Sequence, residues 1–199
     1  MMGYDVPMVE QPHVKPTVIV PDTAPLIHLA AGKALHVLSG MGRVVLVDIV
    51  VLEATYYDEK PFAKEIRAWI EAGRQAGSNA PIEIAESDLG PVYRLALEQP
   101  GVRKPRNAGE IAIAEWLAEN LARIGGPALV IYENGLVPNV LARQGVSATV
   151  AVATTRNLLH LAEQEGIIPD AEALWQEILA VAPTANPLSA ITFIEPDKS

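Results

Sequence analysis

The chain predicts an α/β domain, a three-layer α/β/α arrangement around a central, mostly parallel sheet. Short β-branched runs alternate with helical patterns along its length. One run, Ala128 to Tyr132 (ALVIY), has no polar face, as a central parallel strand requires. Of the 199 residues, 50% are hydrophobic, enough to bury a sizeable core.

In order, Thr17 to Val20 is a buried strand by its β-branched content. From Thr23 to Leu38, Leu26, Leu29, Ala30 and Leu35 recur near helical spacing, with Gly32 as a break. Gly40-Met41-Gly42 reads as a turn, and Arg43 to Val47 as the second strand. Asp48 opens the next helix. Pro61 to Ala72 is amphipathic, with Phe62, Ile66, Trp69 and Ile70 opposite Lys64, Glu65, Arg67 and Glu71, and Gly73 and Gly77-Ser78-Asn79 end it. Ile82 to Ile84 is a short strand. Val92 to Leu97 is a short helix closed by Pro100-Gly101. A loop from Val102 to Asn107 leads into the longest helical pattern, Ala108 to Ile124, stopped by Gly125-Gly126-Pro127. After the Ala128 strand come a helix from Val137 to Gln144, a strand from Ser147 to Val152, and a helix from Asn157 to Glu165 stopped by Gly166. The last helix is Ala171 to Val181. The Pro- and Ser-containing remainder is expected to wrap or fray.

The expected organisation is a flexible arm over residues 1–16, a domain over 17–170, and a C-terminal helix and tail over 171–199. Cysteine is absent, which removes disulfides, thiolate ligands and thiol nucleophiles together and fits a reducing cytoplasm. No apolar run approaches the ~20 residues of a membrane span. The first residues lack the basic start and apolar centre of a secretory signal. The formal net charge of −9 repels phosphate backbones at long range. A nucleic-acid role therefore needs a local basic patch or bound cations.

Ligands of open parallel sheets bind beyond the carboxyl ends of the strands. Asp22 follows the first strand, Glu53 lies just after the second, and Glu133 follows ALVIY. Glu110 opens the long helix. Singly, each has an ordinary role. Asp22 caps a helix, Asn107 and Glu110 form a capping box, Glu53 favours a first helical turn, and Glu133 sits in a turn. Jointly they are costly. At ~6 Å and an effective dielectric near 20, each pair of charges repels by about 3 kcal/mol. A fold that gathers them needs a cation, and an all-oxygen set suits Mg²⁺ or Mn²⁺. Such an ion activates water and neutralises phosphoryl charge, the chemistry of phosphodiester hydrolysis.

The order of these pieces resembles the PIN-domain family, metal-dependent ribonucleases found among bacterial toxins. VIVPDTAPLIHLA is similar to its first motif, a strand followed by Asp, a hydroxyl residue and a short apolar helix. VDIVVLEAT supplies the second acid, Glu53, with Asp48 as a rival. GEIAIAEWLA supplies Glu110. LVIYENGLVPNVLA supplies Glu133, with Leu136 three positions on. VAVATTRNLLHLAEQEGII resembles the closing strand, Thr and helix of a GE-containing subgroup. The third and fourth acids are Asp in many members and Glu here, each one methylene longer. The resemblance spans about Thr17 to Pro169. It implies a PIN-like fold, an RNA substrate, Mg²⁺ or Mn²⁺ held by Asp22, Glu53, Glu110 and Glu133, an antitoxin protein as partner, and a homodimer. The alternatives are a scaffold that binds RNA or protein without cutting, and a small-molecule phosphohydrolase using the same ions.

Other residues attach to this site. Thr23 is expected to bond Asp22 or a water at the metal. Asn134 stands where relatives carry a further acid, and Thr154 follows the last strand. Arg103, Lys104 and Arg106 form the one dense basic run, next to Glu110, where they could hold RNA phosphates, with Arg156 a further candidate. His28 falls inside the first helix and reads as structural. Trp69, Trp116 and Trp175 read as core or interface residues.

Overall fold

The structure, a computed structural model, describes residues 15–75, 81–133, 137, 140–141, 150–182 and the backbone of 191–193. The arm through residue 14, the 77–79 loop, Asn134 to Leu136, most of the 137–144 helix, residues 147–149 and most of the tail lie outside the described residues.

The strands are β1 (Val18–Pro21), β2 (Arg43–Val47), β3 (Ile82–Ala85), β4 (Ala128–Ile131), β5 (Val150–Ala153) and β6 (Ile191–Phe193). They form one sheet in the order β3-β2-β1-β4-β5-β6. The first five are mutually parallel, and β6 pairs antiparallel with β5. β1 and β4 are buried at every residue, which explains their lack of a polar face. The sequence left the tail without regular structure, yet its backbone adds this edge strand.

The helices whose bounds fall within the described residues are α1 (Thr23–Ala31), α2 (His36–Met41), α3 (Asp48–Thr55), α4 (Ala63–Arg74), α5 (Gly90–Glu98), α6 (Ala108–Ile124), α7 (Thr155–Gln164) and α8 (Ala171–Val181). They flank the sheet as the outer layers of the expected three-layer α/β/α fold. α3 packs with α4, α5 and α6; α7 packs with α2 and α8; α1 touches both groups. Pro25 is accommodated in the first turn of α1, where an amide has no helical partner in any case. Gly32 ends α1 as the sequence predicts. Gly40 and Met41 belong to α2 rather than to a turn. Gly125, at φ +69°, closes α6.

Helix α4 differs from its sequence boundaries at both ends. Phe62 adopts a left-handed φ of 59°, so the helix begins at Ala63, not Pro61. At the other end Gly73 does not stop it. A Cβ there would stand 2.3 Å from Ile82 Cδ1, so the missing side chain lets α4 lie close on β3. The core also continues past residue 170: Trp175 and Ile178 of α8 are fully buried in the main cluster. Trp69 and Trp116 pack on its edge, as the sequence predicts for all three tryptophans.

Candidate functional site

The strand order reverses beside β1. β2 lies on one side and β4 on the other, and a crevice opens at such a switch point beyond the carboxyl ends. The register makes those ends level. Pro21 pairs with Ile131, and Ile131 with Ala153. The amide of Asp22 donates to the Ile131 carbonyl at 2.8 Å, tying the ends of β1 and β4 together. Asp22, Glu133 and the Thr154-Thr155 pair therefore emerge side by side.

Asp22, Glu53 and Glu110 line one cavity of about 360 Å³ with Thr23, Ile27 and Asn107, and no cationic side chain is among its described lining. Asp22 Oδ1 and Glu53 Oε2 would each lie 3.6 Å from a Cβ placed on Gly109, in the first turn of α6. The two acids thus converge on the start of the helix that carries Glu110. Asp22 makes no side-chain capping bond to α1, and the Asn107 side chain makes none to α6.

Asp22 is 5% exposed. Burial pushes its carboxyl up to about 7; the neighbouring Thr23 N–H offsets part of this, and the charges of Glu110, Glu53 and Glu133 raise it further. The acid that opens the site is thus held where its negative charge is costly. An oxygen-only donor set with unbalanced charge fits a hard divalent cation in chemistry. Its spacing is wider than coordination: among the described residues, no three Asp, Glu or His side chains already stand close enough to hold one ion.

Thr23 Oγ1 donates to Glu53 Oε2 at 2.6 Å. The sequence assigned this hydroxyl to Asp22 or a water; its partner is the second acid. Between Asp48 and Glu53 the geometry is decisive. Asp48 Oδ1 accepts from Ile49 N at 2.9 Å and from Ser87 Oγ at 2.6 Å. A Cβ on Gly90 would collide with its other oxygen. Asp48 therefore anchors the start of α5 to α3, and Glu53, one and a half turns along α3, reaches the cavity.

Glu133 does not line the cavity. Its Oε1 accepts from both the hydroxyl and the amide of Thr155, and His28 Nδ1 lies 3.5 Å away. It is close enough to Asp22 to raise that carboxyl. Thr154, a candidate for the same pocket, is buried and caps α7: its hydroxyl donates to Asn157 Oδ1 at 2.8 Å and accepts from Asn157 N. After β5 the hydroxyl that bonds an acid of the cluster is that of Thr155, which sequence reading missed. The adjacent Thr-Thr pair after β5 was the available signal. His28 is buried, as expected of a structural residue, but its Nδ1 has no hydrogen-bond partner among the described residues.

Of the basic candidates, Lys104 lines a second cavity that adjoins the first. Arg103 and Arg106 are exposed and line neither cavity. Arg156 pairs with Glu172 of α8 at 2.8 Å, an interaction that ties α7 to α8. No protein-family model matches the chain, and no curated protein or solved structure matches it either.

Proposed function

We propose that the protein is a PIN-like, Mg²⁺- or Mn²⁺-dependent phosphodiester hydrolase acting on RNA. The observation that carries this reading is the convergence of Asp22, Glu53 and Glu110 on one cavity at the switch point, with Asp22 buried among like charges. In this reading Asp22, following β1, would be one of the residues that hold the ion. Thr23 holds Glu53 through its Oε2. Glu110 approaches from the first turn of α6. Glu133, anchored by Thr155, contributes charge to Asp22. A divalent ion held by Asp22, Glu53 and Glu110 would supply water activation and charge stabilisation at the phosphoryl group. The resemblance of the motifs supports an antitoxin partner and a homodimer, and with the absence of cysteine it supports a cytoplasmic location.

The second reading is a scaffold that binds RNA or a protein without cutting. The wide spacing of the carboxylates favours it. Cleavage of single-stranded RNA by purified protein in Mn²⁺ separates the two, with Asp22→Asn as the comparison. The proposal expects cleavage by the parent and none by the variant. Equal cleavage by both assigns the activity elsewhere, and no cleavage by either, with bound RNA, favours the scaffold.

A further inference from the structure

Beside the carboxylate cavity lies a second one of about 240 Å³, and Thr23, Ile27 and Glu53 line both. Its other walls differ in character. Tyr57, Lys60, Tyr93 and Lys104 face it, with Leu52 and Leu97 beneath. Two ammonium groups and two phenol rings therefore stand directly against an acidic centre, in a chain of net charge −9.

The rings are fixed in place. Tyr57 is 42% exposed, yet its hydroxyl donates to the Leu97 carbonyl at 3.2 Å and its ring stacks edge-to-face on Tyr56 at 4.7 Å. An exposed aromatic held at both ends loses little freedom when a planar group lies on it. Tyr93 is buried. It lines the cavity together with Glu53. The Lys104 ammonium sits 5.6 Å above the Tyr93 ring. Tyr93 thus links the acid site on one side to a cation on the other.

We propose that this second cavity is the subsite for a nucleotide flanking the scissile phosphate of a single strand. The proposal rests on the hydrolase reading for its position in the reaction, but not for its binding chemistry. The flanking base stacks on Tyr57, and the neighbouring phosphate is held between Lys60 and Lys104. Stacking platforms combined with cations that follow the backbone are how single strands are held without sequence readout. The positive pair also offsets the repulsion between the strand and the acids next to it.

The test is binding of a short single-stranded oligouridylate to the full chain in EDTA, read by fluorescence anisotropy across a salt series. Tyr57→Ala is expected to weaken binding about tenfold, and Tyr57→Phe, which keeps the ring but loses its bond to the Leu97 carbonyl, to fall between that variant and the parent. Lys60→Gln is expected to lower the slope of log affinity against log salt by about 0.7, the share of one phosphate contact on a single strand. Lys64→Gln removes the same charge outside the cavity and is expected to leave that slope unchanged. Absence of binding by the parent, or parental affinity and slope in both Tyr57→Ala and Lys60→Gln, overturns the subsite. So does a uridine monophosphate that binds as tightly as the oligomer. Cleavage by the parent in Mn²⁺ is scored separately: loss of cleavage with these binding differences intact removes the hydrolase reading and leaves the subsite standing.

Discussion

Thr23 Oγ1 and Glu53 Oε2, from the first turn of α1 and the body of α3, meet in a 2.6 Å hydrogen bond. It orients the second acid toward the first. Replacing Thr23 by Val keeps the shape and removes the donor. Lost support of this kind costs about 10–100-fold in metal affinity or activity. We expect that loss in Thr23→Val, read as the Mn²⁺ concentration needed to raise the melting temperature, with Thr23→Ser near the parent. An unaltered midpoint in Thr23→Val would show that the hydroxyl does not orient the acid.

Asp22 sets a pH signature. Its folded value is about 7 and its unfolded value 3.8. Between those limits the native state holds a proton that the unfolded chain has released. Stability from this group is therefore highest below the unfolded value, falls as pH rises from about 4 to about 7, and is flat above. The full swing is of order 4 kcal/mol. Asp22→Asn removes it. In urea unfolding with EDTA, the variant is expected to gain on the parent steadily through that window and to stay ahead at pH 8. A stability difference that does not change with pH would exclude this account of the buried acid.

The two acids of α3 should separate cleanly. Asp48→Ala leaves the Ile49 amide and the Ser87 hydroxyl without their acceptor, at a cost of about 1–3 kcal/mol of stability. It should not change the metal response of the folded protein. Glu53→Gln should do the reverse, with near-parental stability and a lost Mn²⁺ shift. Urea midpoints and metal-dependent melting, measured on both variants, check the pair; a metal response lost in Asp48→Ala and kept in Glu53→Gln would exchange their roles.

Gly73 sets two effects against each other. Alanine in a helix interior is favoured over glycine by about 1 kcal/mol, and by less at Gly73, one residue before the end of α4. Its Cβ would overlap Ile82, and overpacking of that kind costs about 1–3 kcal/mol. Since Ile82 is buried, packing is expected to win and Gly73→Ala to destabilise. Ile82→Val alone costs about 1 kcal/mol, but in the double variant it should return part of the loss. Additive denaturation midpoints would show that the two residues do not compete for the same space.

The helix-and-strand order and the central place of ALVIY were legible because their signals are local. Apolar runs, Gly32 and Gly125 act within a few residues of themselves. Gly73 misled for the same reason, because its role lies in contact with Ile82 of another element. The three acids that line the cavity were also within reach, since the end of a strand or the start of a helix can be read from its neighbours.

What the sequence determined by itself was therefore an α/β sheet protein with acids at its strand ends and at the start of its longest helix. Only the tertiary structure decided which neighbour of each pair serves the cluster. One residue along a helix turns a side chain by about 100°, so Asp48 and Glu53 of one helix face different partners. Thr154 caps α7 while Thr155 bonds Glu133. The level register of β1, β4 and β5 then decides what those side chains meet. Helix rotation and strand register are settled by packing across the whole core, and that packing joins residues the chain keeps far apart.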